Sequence, residues 1–225
     1  MLDQRRWIIG FIGSLTLLIC IGLILKIKIP SNAPAPITRE KKITEPTIKI
    51  TDPQRGSPDA PLSIIYFSDF GCDSCANASP EIDALLKDPQ LAGKIRFVWK
   101  DFPAHKNIFP DSFELHKAGR CAAAAGHFWD FEHVAFTHIQ EIHVKLPVIE
   151  KIITETGLDL ATIENCMRSD GIISALEANE QEARALDVTA TPTFFFGTQR
   201  IEGILPYYEF AGTIRSELAR IEAKK

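Results

Sequence analysis

Cys72 and Cys75 stand in the run Asp69-Phe70-Gly71-Cys72-Asp73-Ser74-Cys75, between an apolar stretch of strand character at 62–67 and a stretch of helical character. A CxxC at a strand-to-helix junction is the arrangement of a redox dithiol. The first sulfur falls where a helix N-terminus offers unpaired N–H groups and partial positive charge, which favour thiolate over thiol. The second falls one turn inside on the same helix face, so Cys72 is the sulfur open to attack. The same spacing also serves as half of a structural zinc site, which needs a second pair. Cys121 and Cys166 are single and far apart, a poor second pair.

The elements that must position this pair follow from periodicity. Residues 62–67 and 94–99 are rich in β-branched and aromatic side chains and read as strands, with a helix at 72–86 between them. That is a βαβ unit with the CxxC at its first turn, and it places the chain in the α/β class. Pro80 falls inside the helix, where it removes a backbone hydrogen bond and either kinks the helix or ends it early. From 111 to 187 the pattern is helical, with pieces at 128–142, 148–156, 160–167 and 172–186 after a first one that contains Gly119. Strand signals return at 193–196 and 200–203 around a turn, and a helix at 207–223 follows. Pro192 stands at the entry of the aromatic strand, where an X-Pro bond is either trans and structural or cis with a specific role.

The N-terminal part is of another kind. Residues 7–25 are uncharged and predominantly apolar, flanked by Arg5 and Arg6 before and Lys26 and Lys28 after. At about 1.5 Å per residue this run spans a bilayer core. It lacks a cleavage site directly after it, so it reads as an uncleaved anchor with a tail at 1–6 and Cys20 in lipid. Residues 26–55 are proline-rich and polar and read as a tether, with strand character only at 47–50. A globular domain at 56–225 follows. From residue 51 onward it carries 17 Lys/Arg against 26 Asp/Glu, a balance that argues against a nucleic-acid or anionic-membrane surface. The positive-inside count leans slightly toward a cytoplasmic globular part. The short N-terminal tail and the four further cysteines favour the opposite, a cell-membrane protein with its catalytic domain outside the cytoplasm.

This ordered set resembles the thioredoxin-fold thiol-disulfide oxidoreductases, specifically the membrane-anchored DsbA-like group. The likeness runs over most of 56–218. It rests on Phe67-Ser68-Asp69-Phe70 leading into Cys72 and Cys75, on Pro80, on Phe97-Val98-Trp99-Lys100-Asp101-Phe102-Pro103, on the run from Cys121 through Gly126 to Trp129, and on Thr191-Pro192-Thr193-Phe194. The resemblance implies a thioredoxin fold with a helical insertion at about 104–188 between the βαβ half and a cis-proline hairpin. It implies that Pro192 is cis and faces the dithiol, and that the Thr191 backbone holds the substrate chain as an extra strand. Some relatives also pair cysteines at the places of Cys121 and Cys166; two separate buried thiols are the alternative. The implied chemistry is oxidation of thiols in exported proteins through a mixed disulfide on Cys72, with reoxidation by a quinone-linked integral-membrane thiol oxidase. No cofactor or metal is implied.

Two departures stand out. Asp73 and Ser74 lie between the cysteines where relatives often carry Pro with an aromatic or His, and a carboxylate beside Cys72 disfavours a second negative charge. Tyr66 stands where many relatives have a buried Glu near the inner cysteine, which leaves water or Asp69 to serve Cys75; Asp69 also reads as a turn or helix-entry residue. Asp73 lends weight to a reductase or isomerase working in the other direction. A reading of another class is Cu(I) delivery by Cys72, Cys75 and a histidine. The six histidines between 105 and 143 lack a clear i, i+4 pair and read as scattered surface or core residues.

Overall fold

A computed structural model describes residues 45–224 apart from 146 and 198. In chain order the elements are β1 (Gln54–Gly56), β2 (Leu62–Ser68), α1 (Asp73–Lys87), β3 (Ile95–Asp101), α2 (Pro110–Ala124), α3 (Phe128–Thr137), α4 (Ile139–His143), α5 (Ile149–Glu155), α6 (Leu160–Met167), α7 (Asp170–Ala185), β4 (Thr193–Phe196), β5 (Gln199–Glu202) and α8 (Tyr207–Glu222). The strands form one mixed sheet in the order β1-β3-β2-β4-β5, in which β2 and β3 are parallel and the other pairs antiparallel. This is the α/β thioredoxin-like architecture.

Alternation along the strands sorts the core into two layers. Ile64 and Tyr66 of β2 join Phe97 and Trp99 of β3 and Phe194 of β4 in the large apolar cluster that α1, α8 and the helical insertion cover. Ile65, Phe67, Val98 and Phe195 point the other way, onto Ala183 of α7 and Val188. Both faces are therefore dry, which is why β2 reads as a continuous apolar run rather than an alternating one. Helix α1 continues through Pro80 to Lys87.

Three boundaries differ from the sequence reading. The tether expected through residue 55 joins the domain ten residues earlier. Pro46 and Asp52 are buried, β1 pairs with β3, and the Asp52 carboxylate meets the fully buried Lys100 ammonium at 2.7 Å, with Glu182 of α7 at 3.0 Å on the same group. A buried cation needs such partners, so this stretch cannot stay loose. The strand character expected at 47–50 is absent; the strand lies at Gln54–Gly56 instead. The helix expected over 128–142 breaks at His138, which leaves helical geometry while its two ring nitrogens pair with Glu141 at 2.7 Å and Glu155 at 2.8 Å.

Cys121 of α2 and Cys166 of α6 form a disulfide. Among the described residues no helix is long and apolar enough to cross a membrane. The apolar run at 7–25 lies outside the described residues.

Candidate active site

The sheet delivers Cys72 to the surface end of β2, and Cys72 becomes the N-cap of α1. Its sulfur accepts a hydrogen bond from the Cys75 backbone N–H at 3.3 Å, the role that a Ser or Asp oxygen plays at other helix starts. On the other side lies the Thr191-Pro192 segment, joined by a cis peptide bond. As a thiol, Cys72 donates to the Thr191 carbonyl at 3.2 Å. Thr191 and Pro192 are both buried, and the Pro192 carbonyl accepts from Gly203 N at 2.7 Å, which ties the segment to the hairpin.

The two sulfurs are electrostatically unequal. The hydrogen bond from the Cys75 thiol, aided by the Thr191 side chain, the Cys75 N–H and the charge of His105, outweighs burial and brings Cys72 down to about 6. Burial, reinforced by the neighbouring Cys72, pushes the Cys75 thiol well up. At neutral pH the outer sulfur is a thiolate and the inner one a thiol.

Asp69 sits directly behind the pair as a fully buried turn residue. It accepts from Gly71 N at 2.9 Å, from His105 N at 2.8 Å and its Nδ1 at 2.7 Å, and from the Ser112 hydroxyl. Burial alone would raise its carboxyl; the bonds from His105, His116 and Ser112 reverse this and hold it well below the carboxylate range. His116 lies between Asp69 and Asp101, with Nδ1 donating to Asp101 at 2.7 Å and Nε2 3.5 Å from Asp69. Burial works against its charge, but the two carboxylates win and raise it to about 9. Arg120 from α2 donates to Asp101, and Trp99 Nε1 donates to the same carboxylate at 2.9 Å. Burial would raise Asp101 too; Arg120 and His116 hold it low. The result is an alternating row of buried charges, Asp69, His116, Asp101 and Arg120, beneath the dithiol.

Asp73 and Ser74 are exposed. The Asp73 carboxylate faces His143 Nδ1 at 3.8 Å, while His143 Nε2 donates to the Gly71 carbonyl at 3.0 Å and its ring stacks on Phe109. His105, His116 and His143, which the sequence scatters, thus gather around the turn that carries Cys72. No local spacing signals this, because they come from the loop after β3, from α2 and from α4. Cys121 and Cys166 are joined to each other and stand apart from the dithiol. Among the described residues no group of three or more His, Cys, Asp or Glu is placed to hold a metal ion.

A mixed sheet that sets a CxxC at a strand-to-helix turn against a cis-proline defines a dithiol protein of thioredoxin type. A family model described as thioredoxin matches residues 49–216, so the chain belongs to that family. Among solved structures, oxidised BdbD from Bacillus subtilis is similar with a TM-score of 0.68 and 22% identity, over 78% of this chain and 96% of that one. The thiol-disulfide exchange protein alpha-DsbA2 from Wolbachia pipientis gives 0.65 and 21%, over 75% and 88%. At these identities the likeness is one of fold. Among curated proteins, the Na(+)/H(+) antiporter NhaA 1 of Mycolicibacterium gilvum is 28% identical over 204 residues, which are 89% of this chain and 32% of that protein. The chain thus spans about a third of the length of that relative.

Proposed function

We propose that the protein is a thiol-disulfide oxidoreductase of DsbA-like kind that introduces disulfide bonds into exported proteins. The observation that carries this is the inequality of the two sulfurs, with Cys72 near 6 at a helix N-terminus beside Thr191 and Cys75 buried and protonated. A substrate thiolate attacks Cys72 of the oxidised pair, Cys75 leaves, and a second substrate thiol releases the substrate oxidised. The Thr191 segment at the cis-proline supplies an edge for an extended substrate chain. A stabilised Cys72 thiolate favours the reduced enzyme and so makes the disulfide more oxidising. Between pH 6 and 7 this is about one pKa unit, roughly 1.4 kcal/mol or 30 mV for two electrons. The Asp73 carboxylate beside Cys72 is exposed, with His143 Nδ1 3.8 Å away.

The run at 7–25 anchors the protein in the cell membrane with the domain outside the cytoplasm, where a quinone-linked membrane thiol oxidase reoxidises it. Equilibration with glutathione redox buffers tests the direction. A potential well above thioredoxin's roughly −270 mV is expected, and a value near it contradicts the oxidase role in favour of a reductase. A reporter fused after residue 225 tests the topology, and cytoplasmic reporter activity refutes it.

A further inference from the structure

Of the two residues between the cysteines, Asp73 is the one whose charge opposes the reaction. Its carboxylate opens α1 directly after Cys72. The thiolate and the carboxylate therefore share one helix N-terminus, and a like charge so near disfavours the thiolate.

A distant part of the chain meets that carboxylate. His143, the last residue of α4, reaches both neighbours of Cys72. Its Nε2 donates to the Gly71 carbonyl at 3.0 Å, and its Nδ1 lies 3.8 Å from the Asp73 carboxylate. A carbonyl only accepts, so Nε2 carries a proton in either state of the ring. Nδ1 then faces the carboxylate with a bare lone pair when the ring is neutral and with an N–H when it is charged, and only the second arrangement is attractive. The separation is too long for a hydrogen bond and short enough for charge to act. The ring is also held in place. It stacks on Phe109 with centroids 4.4 Å apart and planes 22° from parallel. Helix α4 has only five residues, but its Ile139 and Ile142 are buried, and His138 before it is clamped between Glu141 and Glu155 at 2.7 and 2.8 Å. His105, the other histidine beside the turn, is engaged elsewhere: its backbone N–H and its Nδ1 both go to the Asp69 carboxylate.

We propose that His143 is a positioning residue for the exchange reaction, which grips the Gly71 carbonyl and offsets the Asp73 charge, so that the Cys72 thiolate keeps the helix N-terminus to itself. This rests on the thiol-disulfide exchange reading, and it removes the objection that Asp73 raises against an oxidase. The titratable groups around the turn are Cys72, Asp73 and Cys75 from α1, Asp69 just before it, His105 from the loop after β3 and His143 from α4.

The test is the rate at which iodoacetamide alkylates the reduced full-length protein between pH 4 and pH 8, with the adduct located by mass spectrometry. Cys75 is buried with its thiol pushed well up, so the rate reads the Cys72 thiolate. The wild-type rate is half-maximal near pH 6. His143→Phe keeps a ring on Phe109 and loses both polar contacts. It raises the half-maximal pH by about 0.5, roughly a threefold loss of thiolate on the acid side. Adding Asp73→Asn to it returns the wild-type value, and about 1 M KCl shrinks the gap between His143→Phe and wild type by about half or more. An unchanged half-maximal pH in folded His143→Phe overturns the proposal. So does a rise that persists through Asp73→Asn or through the salt, the mark of a turn that has lost only packing. Should His143→Phe not fold, His143→Gln, which keeps a donor for Gly71 and carries no charge, decides by the same criteria. Failure of the exchange reading shows separately, as oxidised wild type that leaves a dithiol peptide reduced, whatever the alkylation rates are.

Discussion

The depressed Cys72 thiol makes the stability of the reduced protein depend on pH in a way that one substitution isolates. Folding lowers this group from 9.0 to about 6, with the Cys75 thiol as the main cause. An acid lowered in the folded state contributes its full stability above the unfolded value and loses it as pH falls through the folded value. At pH 5 both states hold the proton and the contribution is near zero. It reaches about 1.4 kcal/mol at pH 7 and about 2.7 kcal/mol at pH 8. His116, raised to about 9, works the other way and loses its contribution as pH rises from 6.5 toward 9, so a raw stability curve mixes the two. Urea denaturation of the reduced wild type and of reduced Cys72→Ser at pH 5, 7 and 8 separates them, because His116 is common to both. The wild type gains about 2.6 kcal/mol on the variant between pH 5 and pH 8, a relative rise in Tm of about 5–10 °C for a domain of this size. A difference that is flat or falls with pH refutes the assignment of Cys72 as the low-pKa sulfur, and with it the polarity of the exchange.

Asp101→Asn leaves Arg120 and His116 without their shared anion and costs about 3–5 kcal/mol; a loss under about 1 kcal/mol by denaturant titration shows that the buried charge row holds little. Replacing Cys121 and Cys166 by Ala removes a cross-link over a sequence separation of 45. The chain-entropy model sets the loss at about 4 kcal/mol, read by urea denaturation of the two proteins in the absence of reductant, and a loss under about 1 kcal/mol shows that the cross-link holds little. Gly119→Val in α2 meets the Phe70 ring, which already lies 3.2 Å from where a Cβ would stand. Overpacking there destabilises by about 1–3 kcal/mol despite the better helix propensity, and a variant at or above wild-type Tm contradicts the tight approach.

The βαβ half and the hairpin are legible in the sequence because their signals are local. Apolar runs at β2, β3 and β4 need a dry sheet whatever else the chain does, and CxxC and Thr191-Pro192 carry their own geometry. Strand β1 is not legible: three residues, Gln54, Arg55 and Gly56, carry no strand pattern, and only pairing with the β3 edge makes them one. Gly119 reads as a weakness in its helix until Phe70 is seen against it. The site splits in the same way. Cys72 and Cys75 are read from spacing, whereas His143 is 71 residues from Cys72 and an ordinary helix residue until α4 brings its ring to the Gly71 carbonyl. Asp69 is visible as a turn residue, but its buried partners His105, Ser112 and His116 arrive from beyond β3.

Helix α2 holds His116 and Arg120 toward the buried acids and, one residue later, Cys121 toward α6. The strut that steadies the platform under the dithiol is therefore itself a thiol product. Chains made in a reducing and in an oxidising compartment share every residue and the same CxxC, yet differ in how long α2 keeps its seat. Resistance to proteolysis around residue 121, rather than turnover, then records which compartment a given molecule matured in.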